Sequence, residues 1–444
     1  MRTLALVSLL VVTTGATAQS VPDGLLGRWA GAAVENGTPR LFDLTFGRAP
    51  DGTLATELTL PYNGYDQFPF AFAYDAAGGP GSGPDGRLSG GLFGDEMRLS
   101  VDLAEGHLRG VVLRADTVAA LVHLQKVPAF PLPPLASEEV RFRAGADTLA
   151  ATLVRPAGRA VPPVALLVPG RGQTAREEML GWARLLARGG VAALAWDGRG
   201  SGRSTGDADA VTSDVLIEDA RAALAWALAR TDLGPAGFVS YSAGGWVAPV
   251  VAADRDDVAF VVTLVGPAAS LADQQGHTTV AFMRASGTAY ADDEIAAAFA
   301  YQQQTVRLAQ ADAPWSAFEA INAGAQASRW REHALIPAAA DDADLAYFRR
   351  HRFEAPPWAR VRAPVLAVFG ETDPLVPPAD NVPLLRAALA ATPDVTVVVA
   401  PGADHTLARP AGVVGEGDGR YYRPWTRSAV VFDALLGWFA ARFP

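Results

Sequence analysis

Residues 237–246 read GFVSYSAGGW and join an apolar run to a segment of small residues. The apolar run predicts a buried strand, and we expect a helix to begin at about Ala243. Ser242 then lies in the sharp turn between strand and helix, where small neighbours let chain segments pass close together. In such a turn the serine oxygen stands above the carboxyl edge of the sheet, and the Ala243 amide points to where negative charge would develop. The stretch therefore predicts Ser242 as a nucleophile.

Ser240 is the competing serine in this stretch. Its neighbour two residues on is Ser242 rather than glycine, and Ser240 itself lies within the predicted strand. We therefore prefer Ser242. Serine and glycine also form ordinary turns, so the assignment depends on what stands at the other strand ends.

The sequence around this turn alternates between apolar runs and helical stretches. Strands are predicted over 164–168, 191–196, 237–240, 258–265, 364–369 and 395–399, and helices over 175–188, 213–230, 379–391 and 425–442. Regular alternation of strand and helix predicts a mostly parallel sheet with helices on both faces.

Residues 268–357 depart from the alternation because they are rich in alanine and helical throughout. We expect an inserted helical cap at about these residues, with an ordinary extra helical layer as the alternative. Its aromatic residues are expected to form an apolar pocket: Phe299, Trp315, Phe318, Trp330, Tyr347 and Phe348.

Two further predicted strands end in polar residues. Residues 370–377, GETDPLVP, contain Asp373, a carboxylate that could orient a catalytic histidine, with Glu371 and Asp380 as competitors for this role. An Asx turn at Asp373 is the ordinary alternative.

His405 is the candidate base, in residues 401–406, PGADHT, after the last strand. It follows Asp373 by 32 residues, which leaves room for one helix and one strand. The chain order serine, acid, histidine is the one expected of α/β-hydrolases. Surface or structural roles are expected for the other histidines, which lie in the predicted β-domain or cap: His107, His123, His277, His333 and His351.

The loop after the strand ending at Val168 reads PGRGQ over 169–173. Glycines let backbone approach a substrate closely, so the Arg171 amide is the best candidate for a second oxyanion donor. For the Arg171 side chain we expect a solvated or salt-bridged role rather than contact with an acidic substrate group.

Composition excludes several kinds of function. Asp and Glu number 47 against 37 Lys and Arg, a net charge of −10, which disfavours nucleic acid as a partner. The chain has no cysteine, and Lys126 is its one lysine, so thiol nucleophiles, cysteine-ligated zinc and a P-loop are excluded. The glycines of 198–202 lack dinucleotide-binding spacing, and no His-Glu-x-x-His occurs. We expect no cofactor and no metal.

The first residues are expected to be a targeting segment. Residues 1–18 have a positive start, a short apolar run and a final Ala-Thr-Ala, which predicts a signal peptide cleaved after Ala18. The protein is therefore expected to be secreted or periplasmic. No other segment approaches the length of a membrane span.

Residues 19–127 contain about eight short alternating segments separated by turn residues, which predicts a small all-β barrel or sandwich. A packing or substrate-presenting role is preferred over ligand binding. The opening residues 27–31, GRWAG, are similar to small β-barrels ahead of some exported hydrolases. A proline-rich linker is predicted over 128–137, which leaves 138–444 as the catalytic domain with its cap at about 268–357.

Residues from about 138 to 444 resemble exported bacterial α/β-hydrolases related to serine aminopeptidases and acyl esterases. The matching stretches are LVPGRG at 167–172, WDGRGSGRSTGD at 196–207, SYSAGGW at 240–246, GETD at 370–373 and GADHT at 402–406. The resemblance implies an α/β-hydrolase fold with Ser242, Asp373 and His405 as catalytic triad, and the amides of Ala243 and Arg171 as oxyanion donors.

Two departures from the family pattern alter the support of the site without removing a catalytic atom. Pro169 stands where a histidine is usual, and Ser240 stands where the first glycine of the serine turn is usual.

The expected function is a serine hydrolase that cleaves small-molecule acyl esters without a cofactor. One alternative is an aminopeptidase or acyl-peptide hydrolase, which would need a cap carboxylate to hold an α-amine. The candidates are Asp292, Asp293, Glu294, Asp341, Asp342 and Asp344. The other alternative is an inactive protein whose β-barrel binds a ligand. Substrate and oligomeric state are left open.

Overall fold

The computed structural model describes residues 21–60, 65–76, 82–92, 95–129, 132–172, 174–414, 421–423 and 426–444. They form two compact units. Unit 1 comprises the described residues of 1–132 and 410–426, and unit 2 those of 133–409 and 427–444. The predicted signal peptide lies outside the described residues.

Unit 1 is built on an antiparallel sheet, with nine strands among its described residues. These are β1 Gly27–Glu35, β2 Thr38–Arg48, β3 Leu54–Leu60, β4 Tyr65–Phe70, β5 Phe72–Asp75, β6 Arg87–Leu92, β7 Asp95–Asp102, β8 His107–Arg114 and β9 Thr117–Val127. Their order is β4-β3-β2-β1-β9-β8-β7-β6-β5. Only Ala71 separates the two edge strands in sequence, so the sheet curls until its edges meet. Counted as one bent strand, β4 and β5 make this the small near-barrel that the alternating sequence predicted.

The core of unit 1 comes from alternate residues of these strands. In β7, Met97, Leu99 and Val101 are buried while their neighbours are exposed or half-buried. Trp29 is fully buried and donates its Nε1–H to the Leu25 carbonyl at 2.8 Å, which satisfies the one polar atom of its ring.

Unit 2 contains an eight-stranded sheet. Its strands are β10 Leu135–Ala144, β11 Asp147–Pro156, β12 Val164–Val168, β13 Ala192–Trp196, β14 Ala236–Tyr241, β15 Val261–Leu264, β16 Val365–Gly370 and β17 Val395–Ala400. The order is β10-β11-β13-β12-β14-β15-β16-β17. The pairs β10–β11 and β11–β13 are antiparallel, and the other pairs are parallel. The mostly parallel sheet of the predicted fold class is confirmed.

Helices cover both faces of this sheet. They are α1 Leu180–Arg188, α2 Ser213–Leu228, α3 Gly244–Ala252, α4 Leu271–Ala285, α5 Asp292–Gln310, α6 Trp315–Ala327, α7 Ala343–Arg350, α8 Pro378–Ala388 and α9 Ala429–Arg442. Within β12, Leu166 packs in the cluster shared with α2, α3 and α8, and Leu167 packs in the cluster shared with α1 and α9. The continuous apolar run of β12 is thus explained by burial on both sides.

Two predicted boundaries differ from the structure. Strand β10 begins at Leu135, so the last three residues of the predicted linker belong to a strand. The described residues of 410–426 group with unit 1 rather than with unit 2. Short strands occupy part of 408–427, so the last helix begins at Ala429 rather than 425: β18 Ala408–Arg409, β19 Gly412–Val414, β20 Tyr421–Arg423 and β21 Thr426–Arg427.

Helices α4 to α7 lie between β15 and β16, where the cap is predicted. Phe318 and Phe348 are fully buried in the core cluster that covers one sheet face, so they hold the helices in place and do not line a pocket. Phe299 lines an open cavity of about 330 Å³ together with Val280 and Ile295. Among the helices of the described residues, we find none with the length and hydropathy of a membrane span.

Candidate active site

Ser242 lies between β14, which ends at Tyr241, and α3, which begins at Gly244. Its φ is +49°, a left-handed conformation that is uncommon for a residue with a Cβ atom. Such a conformation costs about 1–3 kcal/mol and persists only where the surroundings enforce it. Here the Ser242 amide donates to the Leu264 carbonyl at 2.9 Å, and the Ser242 carbonyl accepts from the Gly245 amide at 2.8 Å. The serine is therefore held in the predicted turn.

The two glycines after this turn are required by close packing. A Cβ atom on Gly244 would lie 2.4 Å from the Val168 carbonyl oxygen, and one on Gly245 would lie 2.7 Å from the Gly266 Cα. Helix α3 can therefore begin against the ends of β12 and β15 only because both side chains are absent.

Ser240 lies in β14 and is fully buried, and its hydroxyl donates to the Val262 carbonyl at 3.1 Å. The structure therefore places this serine in the sheet, away from solvent. A serine can therefore replace the usual glycine at position 240, because its hydroxyl forms a hydrogen bond inside the sheet.

His405 connects the serine to a carboxylate. Its Nε2 lies 2.9 Å from Ser242 Oγ, and its Nδ1 lies 2.8 Å from Asp373 Oδ2. A carboxylate that accepts the Nδ1 proton leaves Nε2 free to accept the proton of the serine hydroxyl. The three residues predicted from separate strand ends are thus brought into one hydrogen-bonded chain.

The Asp373 side chain is fully buried, and its second oxygen, Oδ1, accepts the amides of Leu375 at 2.8 Å and Val376 at 3.0 Å. These bonds offset the cost of burying a charge and fix the carboxylate plane. They also form the Asx turn considered as the alternative, so Asp373 makes a turn and faces His405 at once.

The two competing acids lie elsewhere. Glu371 is exposed and accepts the Gly402 amide at 2.7 Å, while Asp380 lies 3.2 Å from His277 in the cap. The hydrogen bond from His277 holds the pKa of Asp380 below its usual value.

The histidine loop is held by partners that the sequence analysis missed. Tyr241 donates its hydroxyl to the His405 carbonyl at 2.8 Å, and burial raises the pKa of Tyr241, which keeps this hydroxyl a donor. Asp404 Oδ1 accepts both the amide of Thr406 at 2.8 Å and its hydroxyl at 2.6 Å. The sequence signal that could have identified Tyr241 as a residue of the site is its position directly before Ser242.

The acid loop is attached to the cap. The Leu375 carbonyl accepts Gln274 Nε2 at 2.8 Å and Thr278 Oγ1 at 2.7 Å, both from α4. Asn381, fully buried, accepts the Ala268 amide at 2.8 Å. No motif marks Gln274 and Thr278, which are one turn apart on an otherwise ordinary helix.

The two predicted oxyanion donors follow neighbouring strands, since β12 and β14 pair with Val168 opposite Ser240. Ala243 is the N-cap of α3, and amides at a helix start lack an acceptor within the helix. Arg171 lies in the turn after β12, where Gly172 has φ +78°. The Arg171 guanidinium forms an ion pair with Asp344 of α7, the salt-bridged role expected for it.

The glycine run at 198–202 forms a structural turn around Asp197. This buried carboxylate accepts the amides of Arg176 at 3.0 Å and Arg203 at 2.9 Å. A Cβ atom on Gly202 would lie 2.3 Å from Asp197 Oδ2, which accounts for the glycine there. Within the described part of the chain, no group of three or more histidine or acidic side chains is placed to hold a metal ion.

Solved structures resemble the chain only distantly. An esterase of Pyrococcus furiosus has 15% identity over 61% of this chain and 84% of its own, with a TM-score of 0.41. Est1E from Butyrivibrio proteoclasticus, solved with ferulic acid, has 16% identity over 68% and 98%, with a TM-score of 0.42. A dienelactone hydrolase from Anabaena variabilis has 16% identity over 70% and 99%, with a TM-score of 0.37. None of the curated proteins compared with the chain matches it.

The sequence pattern of the Alpha/beta hydrolase family matches residues 165–416, more than half of the chain. This stretch includes the turn at Ser242, the acid loop and the histidine loop, and it begins in β12. The strand order, the serine turn and this match agree, and the chain belongs to the Alpha/beta hydrolase family.

Proposed function

We propose that the protein is a serine hydrolase that cleaves small-molecule acyl esters through an acyl-enzyme on Ser242. The observation that carries the proposal is the hydrogen-bonded chain from Ser242 Oγ through His405 to the buried Asp373, with the serine held in a strained turn. Backbone strain at Ser242 and burial of the Asp373 carboxylate both cost free energy. Features of this kind occur together most often at catalytic sites.

In the acylation step, His405 Nε2 takes the Ser242 hydroxyl proton while Oγ forms a bond to the acyl carbon. Asp373 stabilises the imidazolium and keeps its orientation. The tetrahedral intermediate collapses when the bond from carbon to the leaving oxygen breaks, and His405 returns the proton to that oxygen. An alcohol leaves and the acyl group remains on Ser242.

In the second step His405 takes a proton from water, whose oxygen attacks the acyl carbon. The bond to Oγ breaks, Ser242 recovers its proton and the acid is released. The oxyanion of each tetrahedral intermediate would be stabilised by the Ala243 and Arg171 amides, each contributing about 3 kcal/mol. The chemistry requires no cofactor.

The surroundings of the cap carboxylates favour the ester over an α-amine substrate. Asp344 is paired with Arg171, and Asp342 caps α7 by accepting the Asp344 amide at 2.9 Å. Glu294 accepts the Ala291 amide and pairs with Arg329, both at 2.9 Å.

The remaining candidates give little support to amine binding. Asp293 accepts the Glu294 amide at 3.0 Å, as expected at a helix start, and Asp341 is exposed. Asp292 lines the cavity of about 330 Å³, and the lining also includes the positive charge of Arg284 and the pair of Asp380 with His277.

The proposal is tested by fluorophosphonate labelling and by turnover of p-nitrophenyl esters of graded chain length, beside aminoacyl-anilides. Ser242→Ala is expected to abolish labelling and to lower kcat by at least about 10³-fold. Ser240→Ala is the matched control, because it deletes a serine hydroxyl two residues away that faces the sheet. Equal loss in both variants, or faster turnover of anilides than of esters, would contradict the proposal.

We also propose that residues 1–18 are removed on export, which makes the protein secreted or periplasmic. The support is the pattern of a positive start, an apolar run and small residues at 16 and 18. The mass of the exported protein should match a chain that begins at Gln19. Recovery of the full-length chain from the cytoplasm alone would contradict it.

A further inference from the structure

A column of planar side chains runs through unit 2 beside the serine turn. The Arg171 guanidinium lies over the Tyr347 ring, 4.0 Å from its centroid. Tyr347 contacts His351, with ring centroids 4.3 Å apart, and His351 stacks parallel on Phe353 at 5.6 Å. Phe353 in turn stacks on Trp246 at 5.1 Å, with 7° between the planes.

One end of this column is a predicted oxyanion donor, and the other end lies three residues after the second predicted donor, Ala243. Arg171 carries one of the amides, and Trp246 lies in the first turn of α3, where its amide donates to the Ala243 carbonyl at 3.1 Å. The three middle rings come from the end of the cap, in or just after α7. A continuous series of side-chain contacts, stacked except for the 46° tilt between Tyr347 and His351, therefore connects the loop of one donor to the helix of the other.

The column is buried from His351 to its Trp246 end. His351, Phe353 and Trp246 are each at most 6% exposed. The Phe353 backbone carbonyl accepts the Leu271 amide at 2.9 Å, and the Trp246 ring donates its Nε1–H to the Ala269 carbonyl at 2.8 Å. The Phe353 backbone and the Trp246 ring are thus also tied to the segment that begins α4.

The Arg171 end needs such support. Its loop contains Gly170 and Gly172, and Gly172 adopts φ +78°, so the backbone there has few intrinsic constraints. The side chain is 41% exposed, yet it is held from two sides, by the ring of Tyr347 and by the carboxylate of Asp344. A cation over an aromatic ring and a charged hydrogen bond are both directional contacts.

We propose that Tyr347, His351 and Phe353 brace the Arg171 loop against the start of α3, so that these cap residues position the oxyanion site. The proposal rests on the proposed function, because it concerns the same site. The brace acts through the side chain of Arg171, whereas the donor is its backbone amide. Substitution of the Arg171 side chain therefore changes the position of the Arg171 amide but does not remove this amide.

The test compares Tyr347→Leu and Arg171→Gln with the wild type. Both are expected to lower kcat for a p-nitrophenyl ester about tenfold, a fraction of the 10²–10³-fold loss seen when such a donor is removed, with KM changed less than about threefold. The pH at which activity is half-maximal on the acid side should stay unchanged, because His405 and Asp373 are untouched. Tyr347→Phe keeps the ring and should restore most of kcat.

Arg352→Gln is the matched control for Arg171→Gln. It removes an exposed ion pair with Asp312 in the same part of the cap, outside the column, and should leave kcat at the wild-type value. Equal loss of kcat in both arginine variants, or wild-type kcat in Tyr347→Leu, would overturn the brace.

Hydrogen exchange of a peptide covering 169–175 reports on the brace without using catalysis. Tyr347→Leu should raise its exchange rate several-fold, while peptides of the sheet stay protected. If exchange does not rise, the brace is wrong even where the protein is an esterase. If exchange rises but the wild-type protein neither labels nor turns over esters, the brace stands and the proposed function fails.

Discussion

Ser242, Asp373 and His405 follow three different strands, and each is held by its own neighbours. Ser242 is fixed through Leu264, Asp373 through the amides of the two residues after Pro374, and His405 through the Tyr241 hydroxyl. The groups are thus oriented before any substrate binds. Preorganised groups lower the barrier because they need not reorganise during the reaction.

Asp373→Asn tests the carboxylate itself. The amide oxygen can still accept from Leu375 and Val376, but the amide nitrogen would face His405 Nδ1 and favour the wrong tautomer. We expect kcat to fall about 10⁴-fold with an unchanged circular dichroism spectrum. Asp380→Asn, the same change on a carboxylate paired with His277, should retain activity. Similar kcat values for the two variants would refute the assignment of Asp373.

His351 provides a pH prediction. Burial, together with the positive charges of Arg350 and Arg171, lowers the pKa of His351 to about 4. Because this value lies below the ordinary 6.5, the folded state binds fewer protons than the unfolded state between pH 4 and 6.5, and stability is lost as pH falls through that window. The loss is up to about 3 kcal/mol.

His351→Phe keeps a flat ring and removes the titrating group. Its Tm should therefore exceed that of the wild type by an amount that grows as pH decreases from 6.5 to 4. Calorimetry of both proteins across this range measures the difference. A constant difference across the range would show that His351 does not titrate as described.

Among the elements of unit 2, the sequence predicted strands β12 to β17 but not the antiparallel strands β10 and β11. The predicted strands stood out because burial on both faces leaves continuous apolar runs, as in β12. The sequence also placed Ser242, Asp373 and His405, since polar residues directly after such runs stand out. It did not predict what lies far away in the chain. Asp344, the partner of Arg171, is 173 residues distant, and no local pattern connects them.

In the cap, too, contacts between residues far apart in the sequence could not be predicted. Its helices were predicted by composition, but which aromatic residues are buried depends on how the helices pack. Phe318 and Phe348 therefore belong to the core, although both were expected to line a pocket. The helix predicted from 175 begins with a 3-10 turn over Arg176–Met179, because the Arg176 amide is held by the distant Asp197.

Two glycines in helices test the close packing of α3. Gly245→Ala places a methyl group 2.7 Å from the Gly266 Cα, so we expect a loss of about 1–3 kcal/mol in the free energy of unfolding, with reduced activity. Gly437→Ala in α9 adds the same methyl group where nothing lies within 4 Å, and should stabilise the protein by about 1 kcal/mol. Urea unfolding measures both. Wild-type stability of Gly245→Ala would show that α3 does not need a glycine at this position.

At the scale of the whole molecule, each unit has its own hydrophobic core. Unit 1 buries residues such as Trp29 and Phe46 inside its near-barrel, and unit 2 buries two clusters on either side of its sheet. With no cysteine in the chain, both units depend on burial rather than on disulfides for stability.

Separate cores predict that thermal unfolding departs from two-state behaviour, with a calorimetric enthalpy above the van't Hoff enthalpy. Trp29→Ala should lower one transition, since truncating a buried tryptophan costs about 3–5 kcal/mol, and should leave the transition of unit 2 in place. A single transition that shifts as a whole in this variant would contradict independent cores.

In the proposed mechanism Ser242 carries the acyl group during turnover. Rapid mixing with p-nitrophenyl acetate, followed by acid quenching and peptide mass spectrometry, measures this directly. We predict a burst of about one p-nitrophenol per active site. We also predict one acetyl group on the peptide that contains Ser242, and its absence in Ser242→Ala. Turnover with neither a burst nor an acetylated peptide in the wild type, or an acetyl group on another residue, would contradict an acyl-enzyme on Ser242.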